Sequence, residues 1–162
     1  MDDRTQSLFV LASDIGSCLK RKQETIAVAE SSSGGFISAS LLSIPGASAY
    51  FLGGGIIYTR ESRRVLLGLS DVEVNMPGAT EEYASLVAKC IRQRLGSTWG
   101  FCETGASGPS GNSYGDSAGH MAMAIDGPKS ESTTLETGIS DREKNMFQFS
   151  EAALKFLKKY IS

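Results

Sequence analysis

Residues 25–42 commit the chain to a fold class before anything else is read. Thr25-Ile26-Ala27-Val28 is a short apolar, β-branched run that predicts a buried strand. Phe36-Ile37-Ser38-Ala39-Ser40-Leu41-Leu42 predicts an apolar helix, and Ala29-Glu30-Ser31-Ser32-Ser33-Gly34-Gly35 joins the two. Three hydroxyls and two glycines at a strand-to-helix turn have two uses. Glycine lets the backbone approach a ligand closely, and the N–H groups of a helix's first turn can hold an anion or a developing oxyanion. A serine in this place equally serves as a plain helix cap.

The remaining pattern repeats the alternation. Apolar residues at Leu8, Leu11, Ile15 and Leu19 predict a helix over 6–20, with Lys20-Arg21-Lys22 suited to its negative end. Pro45 stops the helix after the hydroxyl turn near Ile44. Residues 49–58 predict a strand interrupted by Gly53-Gly54-Gly55, a mark of close approach by a ligand or a packed helix. Residues 58–64 carry Tyr58, Arg60 and Arg63, which can clamp a phosphate or carboxylate or form a solvated helix face; a short helix follows at 65–68. After a loop over 71–78, Thr80 caps a helix running to Leu95. Strands are expected at 99–103, 119–125 and 131–137, and a last helix at 141–160 with Phe147, Ala153, Leu154 and Leu157 inward. The glycine- and hydroxyl-rich stretch 104–117 is a long loop for a compact domain, and such loops usually carry function. His120, the one histidine, is expected to be structural.

Strands alternating with helices place helices on both faces of a mostly parallel or mixed sheet, in a single domain spanning 1–162. The hydroxyl turn, the Tyr58–Arg63 segment and the Thr104 loop all follow strands, so they are expected to converge at one sheet edge. The net charge of −2 argues against a general nucleic-acid binder, and no stretch is apolar enough to span a bilayer. Met1-Asp2-Asp3-Arg4 lacks the basic-then-apolar order of a secretory signal. Cys18, Cys90 and Cys102 have no metal-type spacing and read as buried reduced thiols, which points to the cytoplasm.

Several ordered motifs then resemble one family. These are Ala29-Glu30-Ser31-x-Ser33-Gly34-Gly35, Ile44-Pro45-Gly46-Ala47-Ser48-Ala49-Tyr50-Phe51, Tyr58-Thr59, Leu66-Leu67-Gly68, Thr104-Gly105-x-x-Gly108-Pro109 and Asp141-Arg142-Glu143. Together they resemble the C-terminal domain of the CinA competence/damage-inducible proteins over nearly the whole chain. The resemblance implies an α/β fold of three α/β/α layers with a mixed, mostly parallel sheet, and self-association into a homo-oligomer. It implies nicotinamide-nucleotide amidase chemistry, in which nicotinamide mononucleotide and water give nicotinate mononucleotide and ammonia, with no metal or cofactor. On that reading Ser31 is the nucleophile, with Tyr58 and Arg63 beside it as catalytic residues. Glu30, Ser33, Gly34, Gly35, Arg60, Thr104, Gly105, Gly108 and Arg142 bind the substrate.

The chain departs from the family pattern where chemistry is most sensitive. Arg63 stands where the active family has a lysine, and an arginine, always charged, cannot take a proton from a serine. Asp116-Ser117-Ala118-Gly119 replaces Lys-Pro-Val-Gly, Met146 replaces a second arginine, and Ser140 replaces the glycine before Asp141-Arg142. Two readings follow. One is an amidase with Tyr58 or another group as base. The other is a catalytically silent member that binds a nucleotide or phosphate metabolite. A structural oligomer subunit with a vestigial pocket is a third.

Overall fold

The computed structural model describes residues 3–162, so the acidic start at Met1-Asp2 lies outside the described residues. In chain order the elements are α1 (Asp3–Lys22), β1 (Ile26–Glu30), α2 (Phe36–Leu42), β2 (Phe51–Ile56), α3 (Arg60–Leu67), α4 (Asp71–Val74), α5 (Glu81–Leu95), β3 (Trp99–Gly105), β4 (His120–Asp126), β5 (Glu131–Glu136) and α6 (Arg142–Ile161). The five strands form one mixed sheet in the order β2-β1-β3-β4-β5. The β1–β2 and β1–β3 ladders are parallel and the β3–β4 and β4–β5 ladders antiparallel, so β4 alone runs against the other four. The ends of β1, β2 and β3 and the start of β4 therefore share one edge, where the site lies.

Side-chain size decides which helices cover which face. Ile26 and Val28 of β1, Trp99 and Phe101 of β3, and Met121, Met123 and Ile125 of β4 pack into a core with α1, α2 and α6. The alternate positions Ala27, Ala29, Cys102, Ala122 and Ala124 are small, and α5 packs on them. Gly100 is the closest point, because a Cβ there would lie 2.0 Å from the Ala88 carbonyl oxygen. This thin layer of small side chains seats α5 directly on the strands whose ends build the site.

The glycines of β2 have the same explanation. A Cβ on Gly54 would meet Ser38 Oγ of α2 at 2.5 Å, and one on Gly53 would meet Leu95 Cδ1 of α5 at 3.1 Å. Helices crowd this edge strand from both sides.

Two helices extend beyond their apolar signal. The expected 65–68 helix begins at Arg60, because Thr59 Oγ1 accepts from Ser62 N and Ser62 Oγ accepts from Thr59 N, a reciprocal cap. Ser70 and Glu73 build the same cap on α4, inside what the sequence presents as a loop. Cys18 and Cys102 are buried, as expected, but Cys90 is only half-buried; all three are free. Among the described residues no helix is long and apolar enough to cross a membrane.

Candidate active site

Two buried carboxylates shape the serine turn from within. Glu103, wholly buried on β3, reaches under the turn, where its Oε2 accepts from Ser31 N at 3.1 Å and Ser33 N at 2.9 Å. Ser33 Oγ lies 2.7 Å from the same oxygen, and Ser32 Oγ meets Oε1. Glu30, also wholly buried, accepts from Gly35 N, Ile37 N and Ser38 N at 2.9, 3.1 and 2.6 Å, with Ser33 Oγ at 2.8 Å. The start of α2 does hold an anion, and that anion is the chain's own Glu30. Burial pushes the Glu103 carboxyl up, and the bonds from the three serines offset this only in part.

Four residues expected to contact substrate lie outside the lining of the cavity at this turn. The side chains of Glu30 and Ser33 are engaged behind the cavity rather than in it. Gly34 and Gly35, at φ of +67° and +100°, make the bend, and a Cβ on Gly34 would meet Met146 Cε at 2.7 Å. Ser31 is different. Its hydroxyl has no hydrogen-bond partner among the described residues, and it opens into a cavity of about 290 Å³.

Tyr58, Arg63, Thr104, Asn112 and Tyr114 line this cavity with Ser31, and Gly78, Ala79, Gly105 and Ser113 complete the wall. A second pocket of about 200 Å³ shares Tyr58, Gly105 and Asn112 with the first and adds Arg142, Gly108 and Ser107. The expected convergence is therefore present. Thr104 Oγ1 donates to the Gly78 carbonyl at 2.8 Å and fixes that wall. Arg142 donates to Gly108 O at 2.7 Å and to the Tyr58 hydroxyl at 3.1 Å, tying two loops across the second pocket. Ser107 Oγ is buried there without a partner.

Arg63 is only 8% exposed. Its Nε donates to Ile57 O at 3.3 Å and its guanidinium stacks 5.0 Å from the Tyr83 ring centroid, yet it forms no ion pair among the described residues. Buried charges are ordinarily paired, so the cavity carries uncompensated positive potential.

Sequence reasoning passed over Glu103, Asn112, Ser107 and Tyr114. Asn112 Oδ1 accepts from both Tyr114 N and Asp116 N at 3.0 Å, a local turn that presents Tyr114 to the cavity. Partial burial raises the Tyr114 phenol, but hydrogen bonding to Arg60 and Arg63 and their charges outweigh it and bring the group below its ordinary value. Glu103 had a legible signal, since it is an acid inside an otherwise uncharged buried strand.

His120 braces the same wall. Its Nδ1 meets the Glu136 carboxylate and its Nε2 lies 2.8 Å from Ala79 O. Burial lowers its pKa, but Glu136, Ala79 and Asp116 together outweigh that and raise it. A raised folded-state value means stability present below the unfolded value of about 6.5 and lost as pH rises through the folded value. Thermal unfolding should show wild type ahead of His120→Gln near pH 6, with the lead shrinking by ~2–4 °C toward alkaline pH. A lead independent of pH would mean that the imidazole stays neutral.

A family model described as the CinA C-terminal domain matches residues 9–161. A putative competence-damage inducible protein of Halothermothrix orenii is 36% identical over 153 residues, covering 93% of this chain and 37% of the relative. A CinA-like protein of Cyanothece sp. is 40% identical over 119 residues, covering 73% of the chain and 28% of the relative. The chain thus spans only about a third of the length of such relatives. Among solved structures, the competence/damage inducible protein CihA from Agrobacterium tumefaciens superposes with TM-score 0.85 at 25% identity, over 93% of each chain. A CinA superfamily protein from Klebsiella pneumoniae gives 0.88 at 20% identity, over 95% of this chain and 97% of its own.

Proposed function

The chain belongs to the CinA C-terminal domain family, and from that premise we propose that it is a serine amidohydrolase of small anionic amides, with nicotinamide mononucleotide the expected substrate. The observation that carries the reading is Ser31, whose hydroxyl is unengaged while its neighbours Ser32 and Ser33 are tied to buried carboxylates. Ser31 Oγ attacks the amide carbon, the C–N bond breaks to release ammonia, and water frees the acid from the serine. Arg63 supplies fixed positive charge to the bound anion, and Arg142 with Ser107 offers a second polar subsite for the far end of a nucleotide. The same reading makes the protein a cytoplasmic homo-oligomer that needs no metal or cofactor and acts on a small molecule, not on nucleic acid or membrane.

A second reading is a silent binder of a nucleotide or phosphate metabolite. It is favoured by Arg63 itself, a group that cannot accept a proton at the position of the family's lysine. One experiment separates the two: ammonia release from nicotinamide mononucleotide and a panel of related amides, with thermal shift by the same compounds in parallel. Turnover is expected. Stabilisation without turnover selects the binder, because a ligand of the folded state alone raises stability. Neither response overturns both.

A further inference from the structure

Serine attack needs a proton acceptor, and the cavity wall offers few. The residues lining it include no lysine, histidine, aspartate or glutamate. Glu103 is wholly buried beneath the turn, with Oε2 held by Ser31 N, Ser33 N and Ser33 Oγ and Oε1 by Ser32 Oγ. His120 has both ring nitrogens engaged, by Glu136 and by Ala79 O. Arg63 is permanently charged. Two phenols remain. Tyr58 faces a single guanidinium, that of Arg142, which it shares with Gly108 O across the second pocket.

Tyr114 is placed differently. The Asn112 turn projects it over Gly78, where its ring and the Arg63 guanidinium lie side by side: a Cβ on Gly78 would be 3.4 Å from Tyr114 Cε2 and 3.2 Å from an Arg63 terminal nitrogen. Arg60, in the first turn of α3, adds a second positive charge that with Arg63 lowers the phenol's pKa, and Tyr83 of α5 is the other titratable neighbour.

We propose that Tyr114 is the general base of this site: its phenolate, beside the Arg63 guanidinium in the wall that also carries Ser31, takes the proton of the Ser31 hydroxyl. The inference rests on the amidase reading above. Arginine cannot replace lysine as a base, but two arginines can make a base of a tyrosine by stabilising its anion. The proton balance closes. The Ser31 proton moves to the Tyr114 oxygen as Oγ bonds the amide carbon. Tyr114 returns it to the departing nitrogen as the C–N bond breaks, giving ammonia and an ester on Ser31. A water then gives one proton to Tyr114 while its oxygen bonds the ester carbon, and that proton passes to Ser31 Oγ as the acid leaves.

The test measures ammonia release from nicotinamide mononucleotide by wild type, Tyr114→Phe and Arg60→Gln across pH. Tyr114→Phe keeps the ring and the Asn112 turn, and should lose about 10²–10⁴-fold in kcat, the usual share of a positioned base, while thermal shift by the same compound persists. The wild-type rate should rise with pH along a limb that ends below the ordinary tyrosine value of about 10. Arg60→Gln should move that limb to higher pH, which a merely structural role would not do. An active wild type whose Tyr114→Phe variant stays within about threefold, where a base would contribute at least 10², overturns the Tyr114 assignment and leaves the amidase reading standing. An inert wild type overturns both.

Discussion

Glu103→Ala should lower stability by about 3–5 kcal/mol, whereas Glu103→Gln should stay within about 1 kcal/mol of wild type. The alanine leaves Ser31 N and Ser33 N buried without an acceptor, at roughly 1–3 kcal/mol each, and opens a hole beneath the turn. For a chain of this size that is a fall in Tm of roughly 6–20 °C. Glutamine fits for a geometric reason. Both backbone amides point at Oε2, so a carboxamide oxygen can stand there, and the NH2 then occupies the Oε1 place and donates to Ser32 Oγ. In the native turn Ser32 Oγ donates to Oε1, so the glutamine reverses that one bond and keeps the others, and it is uncharged, as burial favours. Because the folded-state pKa is raised, the folded chain holds the proton more tightly, so this contribution is full below the unfolded value of about 4.3 and declines as pH rises through the folded one. Denaturant melts of wild type and Glu103→Gln should therefore diverge in favour of the glutamine variant as pH rises. A Glu103→Gln protein as unstable as Glu103→Ala would show that the native group is an ionised carboxylate whose charge the turn requires.

The fold was legible because its determinants are local. Period, caps and the large-small alternation of β1, β3 and β4 are all written in neighbouring residues, and a strand-helix alternation admits few topologies. The serine turn stood out for the same reason. What could not be read was which partner each polar group meets across the sheet. The sequence offers the amides of residues 31–38 as an anion site, but whether those of Ser31 and Ser33 meet a ligand or the Glu103 carboxyl depends on β3 lying beside β1. Tyr114 escaped notice because its chemistry comes from Arg60 and Arg63, about fifty residues earlier in the chain. Arg63 drew attention through the family pattern, and its lack of a carboxylate partner appears only in three dimensions.

Ser31→Ala and Arg63→Met should part chemistry from binding. Loss of a serine nucleophile can cost on the order of 10⁶-fold in kcat, so Ser31→Ala should release no measurable ammonia from nicotinamide mononucleotide. Its fold and its thermal shift by that compound should survive, because the Ser31 hydroxyl holds nothing in place. Arg63→Met should behave in the opposite sense. Without ligand, the variant should be as stable as wild type or more so. It loses its bonds to Ile57 O and Tyr114, worth about 1 kcal/mol each, but it no longer buries a cation that lacks a carboxylate partner, and a thioether packs well against the Tyr83 ring. With ligand, the thermal shift should vanish, since deleting one partner of a buried charge contact costs about 2–5 kcal/mol of affinity. A wild type that is the more stable protein without ligand and the better stabilised with it cannot arise from an unpaired Arg63. In that case the guanidinium is a structural strut of the α3–α5 packing, and the anion site must be sought at Arg142 instead.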